Sequence, residues 1–542
     1  MIENEKSLWE KTKNTSQLRT NFLAAHVFSG SERTIYIGEK CDVIMKFLSE
    51  KTKSATYVDP VCGIIPEGEF DLAVVVDPVG FSADYLTELS KKITADGMII
   101  LAVRNRFGLK YFAGCREEKS GAYFAGLEGM AGGPFGRSEF LEMIDESGLC
   151  IRRLYYPYPD HIMCGTVFSD ERLPLAGELW ENDRNFDMSR AELFDEQKVY
   201  DGLIYEAQFP FFSNSYLFEL TKRRPVSAED ILYTKSSNDR AKEFRIYTDF
   251  VRKDGKTFYR KRPADIAAEE HVAKIHRIYE ALSEKVKNEK IEFNRALKAG
   301  TGVIFDRMDG TSMDSYAWSI FEDKDALEGC FATIRDLLFE IYESHEFIPS
   351  EDFINVFGNI PADGDGAPTV DLGPSDRYVD TDLLLTNILV DGERFGIIDY
   401  EWSFDFPVPI LFALYRCIKN FYITHGIFEG DEAKQMMEKF DINPERAEVF
   451  EKMDDHMIRD YILRDYTNLS DLSKELLEVS VGIPEIEEAA GKLAEKDRII
   501  DELCKTLKET QDAVTDLQNC TSMKITAPLR AIMALFKGKK NE

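Results

Sequence analysis

With 542 residues, the chain is long enough for about two to four domains with buried cores. Its net charge of −31 argues against nucleic acid as a partner, because phosphate contacts need clustered Lys and Arg. Nine cysteines are scattered with no CxxC pair, which fits reduced thiols and offers no zinc site.

Residues 1–24 read as a helical segment. MIENEKSLWEKTKNT lacks the apolar stretch of a secretory signal, and no run reaches the roughly 18 apolar residues of a membrane span. A cytoplasmic protein is the expectation. From residue 25 strands and helices alternate: TIYIG, the helix CDVIMKFLSEK, ATYVD, then FDLAVVVD, apolar enough to be buried on both faces. DYLTELSKKI predicts an amphipathic helix closed by Asp96–Gly97, followed by the strand MIILAVRN and the helix SEFLEMIDESG. This βαβ spacing predicts a doubly wound α/β sheet over 25–222.

That order, with NRFGLKYFAG (105–114), FGRSEFLEMIDESGL and YYPYPD (155–160), resembles class I S-adenosylmethionine-dependent methyltransferases, in particular domains found in bacterial surface-polysaccharide proteins. The resemblance implies FFSNSYLFEL (211–220) as the last, antiparallel strand, Gly38 at the cofactor turn and Asp59 on the ribose hydroxyls. Two departures argue against S-adenosylmethionine binding. Only Gly38 remains of a glycine-rich turn, with Glu39, Lys40 and Cys41 crowding it. Residues 60–70 are also too few for the helix and strand expected there.

Residues 171–228 read as a charged connector, and TKRRPVSAED marks a boundary. A second domain over 229–470 opens with three strands, ILYTK, EFRIYTDFV and KTFYRKR, the last two joined at Asp254–Gly255. Ser236 and Ser237, in SSND, offer hydroxyl and amide donors but no glycine. The helix DIAAEEHVAKIHRIYEALSEK places Val272, Ile275, Tyr279 and Leu282 on one face, with Glu269 or Glu270 near its start. ALEGCFATIRDLLFEIYESH is a long amphipathic helix.

The most informative stretch is DTDLLLTNILVDGERFGIIDYEW (380–402). Asp382 stands five residues before Asn387, and a β-hairpin (NILV, DGE, FGII) then leads to Asp399. Such oxygens suit Mg²⁺ with substrate phosphates. With the parts before it, the stretch resembles the aminoglycoside phosphotransferase and choline kinase branch of the kinase-like fold. The resemblance implies an α+β two-lobed domain using ATP and Mg²⁺: Lys261 on the nucleotide phosphates and paired to Glu269 or Glu270, Asp382 as base, Asn387 and Asp399 on the metal. It departs from that pattern in Asp380, where His is usual, and in the phosphate loop without glycine.

Over 480–521 a heptad places Leu493, Ile500, Leu507 and Val514 at one seam position and Leu503 and Leu517 at the other, for about five heptads. A coiled coil forming a homo-oligomer is expected. Residues 522–542 are basic and amphipathic, suited to a membrane surface or a docking partner such as a glycosyltransferase. SMKITAPLRAI resembles the tails of bacterial surface-glycan enzymes. The whole order resembles bifunctional methyltransferase–kinases that terminate O-antigen chains at the inner face of the cytoplasmic membrane, which implies a glycan or lipid-linked sugar acceptor. Two alternatives stay open: a non-catalytic scaffold, and a methyltransferase whose kinase-like lobe binds the acceptor.

Overall fold

A computed structural model describes residues 15–61, 64–118, 120–129, 134–179, 191–223, 229–363, 368–427, 431–478 and 481–537. The chain forms two compact units, one of Met1–Arg190 with Asp195–Val479, the other of Ala191–Phe194 with Ser480–Glu542.

In the first half of the large unit, β1 (Arg33–Ile37), β2 (Ser54–Val58), β3 (Phe70–Val76) and β4 (Ile93–Arg104) run parallel in the order β2-β1-β3-β4. β5 (Cys150–Tyr158) and β6 (Thr166–Ser169) follow. β7 (Ala191–Glu192) belongs to the small unit, and β8 (Ser215–Thr221) returns between β4 and β5, antiparallel to both. This is the antiparallel strand expected from FFSNSYLFEL, and it is buried along its whole length. No helix or further strand occupies the described residues between β2 and β3. The expected helix ahead of β4 is shorter: it spans Ala83–Ser90, capped by the Ser82 hydroxyl on the Tyr85 amide at 3.1 Å. Asp96 and Gly97 lie inside β4, not at a helix end. The register jumps there, and a Cβ on Gly97 would meet Asp71 O at 2.8 Å, so only glycine passes.

The second half continues the same sheet. β9 (Glu229–Ser236), β10 (Ile246–Lys253), β11 (Lys256–Pro263), β13 (Ala296–Ala299) and β14 (Gly302–Asp306) are antiparallel neighbours, and β9 pairs with β6. The twelve strands run β13-β14-β11-β10-β9-β6-β5-β8-β4-β3-β1-β2. The four-residue strand β6, TVFS, is not apparent as a joint in the sequence, yet it closes the seam through Thr166↔Lys235, Val167↔Thr234 and Phe168↔Tyr233. Its β-branched and aromatic residues suit a buried position.

A second sheet carries β12 (Ile291–Phe293), β15 (Thr311–Ser312) and the predicted hairpin, β17 (Ile388–Asp391) with β18 (Arg394–Ile397). β16 (Ser375–Arg377) pairs with β19 (Pro407–Pro409). The helix Glu269–Lys285 buries Val272, Ile275, Ile278 and Leu282; Tyr279 is only partly covered. It shares one core with the helices Lys324–Ile341 and Ile410–Thr424.

In the small unit, β20 (Val481–Gly482) pairs with β7 and leads into a 37-residue helix, Ile483–Asn519, with Pro484 in its first turn. The seam residues Leu493, Ile500, Leu503, Leu507, Val514 and Leu517 are all exposed. The tail forms a further helix, Thr521–Lys537. The side chains of residues 535–542 and all of residues 1–14 lie outside the described residues. No helix of the described chain is long and apolar enough to cross a membrane.

Candidate functional site

Two strand systems meet at a cleft of 300 Å³. From the long sheet come the loop Ser236–Arg240, after β9, and Lys261 on β11; from the hairpin come Asp399 and Glu401, just past β18. Ser236 and Ser237 line the cleft. The Ser237 hydroxyl is already engaged, accepting from the Ile246 amide at 2.8 Å.

Lys261 is buried, only 6% exposed. Its ammonium donates to Asp399 Oδ1 and, at 2.8 Å, to Glu401 Oε2. Burial pulls the ammonium down, but the carboxylates of Asp399 and Glu401 outweigh it and hold it above the usual lysine value. The expected pairing with Glu269 or Glu270 does not occur. Both stand exposed on the first turn of their helix, and Glu270 pairs with Arg277. Glu401 takes that place because it projects from the strand end facing Lys261, and it is more deeply buried.

Glu401 is the residue that sequence reasoning missed. It also accepts from Arg240 at 2.6 Å, while the Arg240 guanidinium lies 5.3 Å from the Trp402 ring centroid. Burial works against the Glu401 carboxylate, but Arg240 and Lys261 hold it far below the usual range. His271, 3.9 Å from the same carboxylate, is driven down to about 4 by burial and stays neutral. The available signal was the IDYEW spacing: an acidic residue two positions past Asp399, at the end of a buried strand.

Asp399 has φ +58°, a left-handed conformation rare for a residue with a side chain. Non-glycine residues held there mark sites whose surroundings over-determine the backbone. The Ile398 amide donates to Asn387 O at 2.9 Å, so Asn387 and Asp399 sit at the same end of the hairpin. Asn387 donates from Nδ2 to Asp382 O at 2.9 Å, which turns its amide oxygen the other way. One amide oxygen and one carboxylate suit Mg²⁺, which takes one or two protein oxygens alongside phosphates. Among the described residues no group of three or more His, Cys, Asp or Glu forms a protein-only metal site. A cation at this hairpin would share its ligands with a phosphate.

Asp382 accepts from Arg416 Nη1 at 2.5 Å; Arg416 also holds Thr381 O at 2.6 Å and Asp454 at 2.8 Å. Burial raises the Asp382 carboxyl, Arg416 opposes that, and Asp399 adds to it; the net shift is upward. Asp380, in the place where His was expected, is fully buried. Its Oδ1 accepts from the Asp382 amide at 3.0 Å, and its Oδ2 has no partner among the described residues. Burial, with Asp382 beside it, drives its pKa well above the usual carboxylate range.

A second cavity, of 410 Å³, lies at the carboxyl ends of β1, β2 and β3. Asp59 lines it, with Glu39, Lys40 and Cys41 where the resemblance expects glycines. A Cβ on Gly38 would meet Tyr36 Oη at 3.0 Å and Val76 O at 3.1 Å, so this one glycine is needed for close packing. Asp77, with φ +43°, accepts from Arg104 and from His161 Nε2, both at 2.9 Å. Arg104 and His161 outweigh burial and hold its carboxyl far below the usual range.

The first half therefore has parallel strands closed by one antiparallel return, and the second half two strand systems around a cleft. No protein-family model and no curated protein matches the chain. Among solved structures it is similar to the mitomycin 7-O-methyltransferase, at 17% identity and TM-score 0.19, over 26% of this chain and 49% of that one. The chain thus spans about half the length of that enzyme. A SAM-dependent methyltransferase from Thermotoga maritima matches at 12% identity and TM-score 0.23, over 40% of this chain and 95% of that one. The macrolide 2′-phosphotransferase of Brachybacterium faecium matches at 14% and TM-score 0.21, over 41% and 83%. The fold assignment rests on strand order and not on these values.

Proposed function

We propose that the chain is an ATP- and Mg²⁺-dependent phosphotransferase acting on a hydroxyl of a glycan or glycan-lipid in bacterial surface-polysaccharide biosynthesis. One observation carries the reading: Lys261, Arg240, Asp399 and Glu401 converge on one cleft, beside the loop that holds Asp382. In this reading Lys261 and Arg240 engage the phosphates, anchored by Glu401. Asn387 and Asp399 would hold Mg²⁺, which would share the phosphate charge. Asp382, kept in place by Arg416, takes the acceptor proton as the hydroxyl oxygen bonds to phosphorus and the bridging oxygen leaves with the nucleotide. The work is positioning and electrostatics, so few groups are needed. The glycan acceptor and the inner-membrane setting rest on the likeness of the SMKITAPLRAI tail. The exposed seam of Ile483–Asn519 supports a homo-oligomer.

Calorimetric titration with Mg²⁺–ATP tests the reading: absence of binding at millimolar nucleotide removes it. A phosphotransfer assay on glycan acceptors then compares the chain with Asp399→Ala, which should be inactive. The cavity holding Asp59 favours a second reading, methyl transfer from S-adenosylmethionine. Saturable binding of that compound, weakened by Asp59→Ala, would support it. Binding of neither ligand would leave the scaffold.

A further inference from the structure

The cleft is not walled by the phosphotransferase-like half alone. Leu18, Pro159, Met163 and Gly165, all from the first half, line it together with the loop Ser236–Arg240. That loop has no glycine, and its backbone is held from outside. Gln17 Nε2 donates to Ser237 O at 3.1 Å, Asn21 Nδ2 donates to Asn238 Oδ1 at 2.8 Å, and the Ser236 amide donates to Gly165 O at 2.9 Å. Asn21 is fully buried and also donates to Cys164 O at 2.8 Å, tying the segment 17–21 to the loop 159–165.

The same two segments wall the other cavity. Arg19, Phe22, His161 and Ile162 line it, and His161 reaches Asp77 there. The intervening loop is stiff: Asp160 accepts from the Ile162 and Met163 amides at 2.8 and 3.1 Å and pairs with the buried Lys110 at 2.8 Å. A continuous chain of contacts therefore runs from Asp77 through His161 and residues 160–165 to Ser236. Such a chain couples two sites where both ligands bias one element.

We infer that the segment Gln17–Asn21 and the loop Pro159–Gly165 position the loop Ser236–Arg240 for nucleotide phosphates, in place of glycines, and so couple the cleft to the cavity at β1–β3. This rests on the phosphotransferase reading. It makes Gln17 and Asn21 positioning residues, and makes the cavity's ligand a regulator of nucleotide affinity. Coupling between two sites is reciprocal and commonly amounts to about 5–150-fold.

The test is calorimetric titration of the full chain with Mg²⁺–ATP, alone and with saturating S-adenosylmethionine as probe, repeated on Gln17→Ala/Asn21→Ala. The unaltered chain should bind nucleotide with an affinity that S-adenosylmethionine changes about five-fold or more. The double variant should bind at least about ten-fold more weakly, with an unchanged melting temperature, and lose the response. If the double variant is destabilised, Gln17→Glu carries the test, since it sets a carboxylate against Ser237 O and should weaken nucleotide binding while the chain stays folded. Equal affinity in the unaltered and variant chains overturns the inference but leaves the phosphotransferase reading intact. Binding of both ligands with no mutual effect overturns the coupling. Absence of nucleotide binding by the unaltered chain removes the phosphotransferase reading, and this inference with it.

Discussion

The two cavities of the large unit hold their charges in different ways. At the second cavity, Asp77 and Arg104 stand at the ends of the neighbouring strands β3 and β4, and His161 reaches Asp77 from the loop after β5 of the same sheet. In the cleft, Lys261 stands on the long sheet, while Asp399 and Glu401 follow a hairpin of another sheet about 140 residues away in the chain. The first network is held within one sheet and its connecting loop; the second joins two sheets. In the proposed phosphotransferase reading, the lysine would exchange Asp399 for a phosphate.

The largest effect expected from breaking this contrast is at Asp399. Asp399→Ala should lower kcat/KM for phosphotransfer by about 10²–10³-fold, the scale of losing one group aimed at developing charge. Activity within a few-fold of the unaltered chain would show that Asp399 holds no metal. Next comes Glu401→Gln, which leaves Arg240 beside a neutral group and Lys261 with Asp399 alone. Stability should fall by about 3–5 kcal/mol in denaturant titration, because a buried charge loses its counter-charge. A loss under about 1 kcal/mol would mean that the network is no more than surface-like.

A pH series sharpens the comparison further. The folded-state pKa of Asp380 lies above its unfolded value, so its contribution is fully present below about pH 3.9 and is lost as pH rises towards the folded pKa. Asp380→Asn keeps the acceptor for the Asp382 amide and removes that penalty. Melting temperature should therefore rise at pH 7 and be unchanged at pH 3.5; an equal gain at both would assign it to packing. In the other cavity, if the second reading holds and S-adenosylmethionine binds, Asp59→Ala should weaken it about ten-fold, the worth of one hydrogen bond to a charged group. The smallest effect is expected at Glu269→Ala and Glu270→Ala, whose exposed side chains face away from Lys261. Nucleotide affinity should not change, and a clear loss would revive the pairing that the sequence suggested.

Much of this was legible in the sequence, for a physical reason. Strands such as FDLAVVV and the hairpin around Gly392 declare themselves through local pattern, and so do the spacings that set Asp382, Asn387 and Asp399. The partner of Lys261 was not legible. Two glutamates sat at the expected helix start, and nothing local says that the helix turns them to solvent while Glu401 arrives from about 140 residues on. Nor was the seam visible: β6 has four residues, too few for periodicity to register. Long-range pairing is decided by what the other strand offers.

That seam bears on how the molecule can be taken apart. In the intact sheet every strand between β13 and β2 has a neighbour on both sides. Cutting the chain between β8 and β9 would strip β6 and β9 of each other, giving each fragment a bare strand edge rich in Val, Phe, Ile and Tyr. Such an edge is a template for pairing with further copies. Separately expressed halves should therefore tend to stick to one another or to themselves, and light scattering on the fragments would register it. The junction that makes one sheet of two folds therefore makes each half the cover for the other's edge.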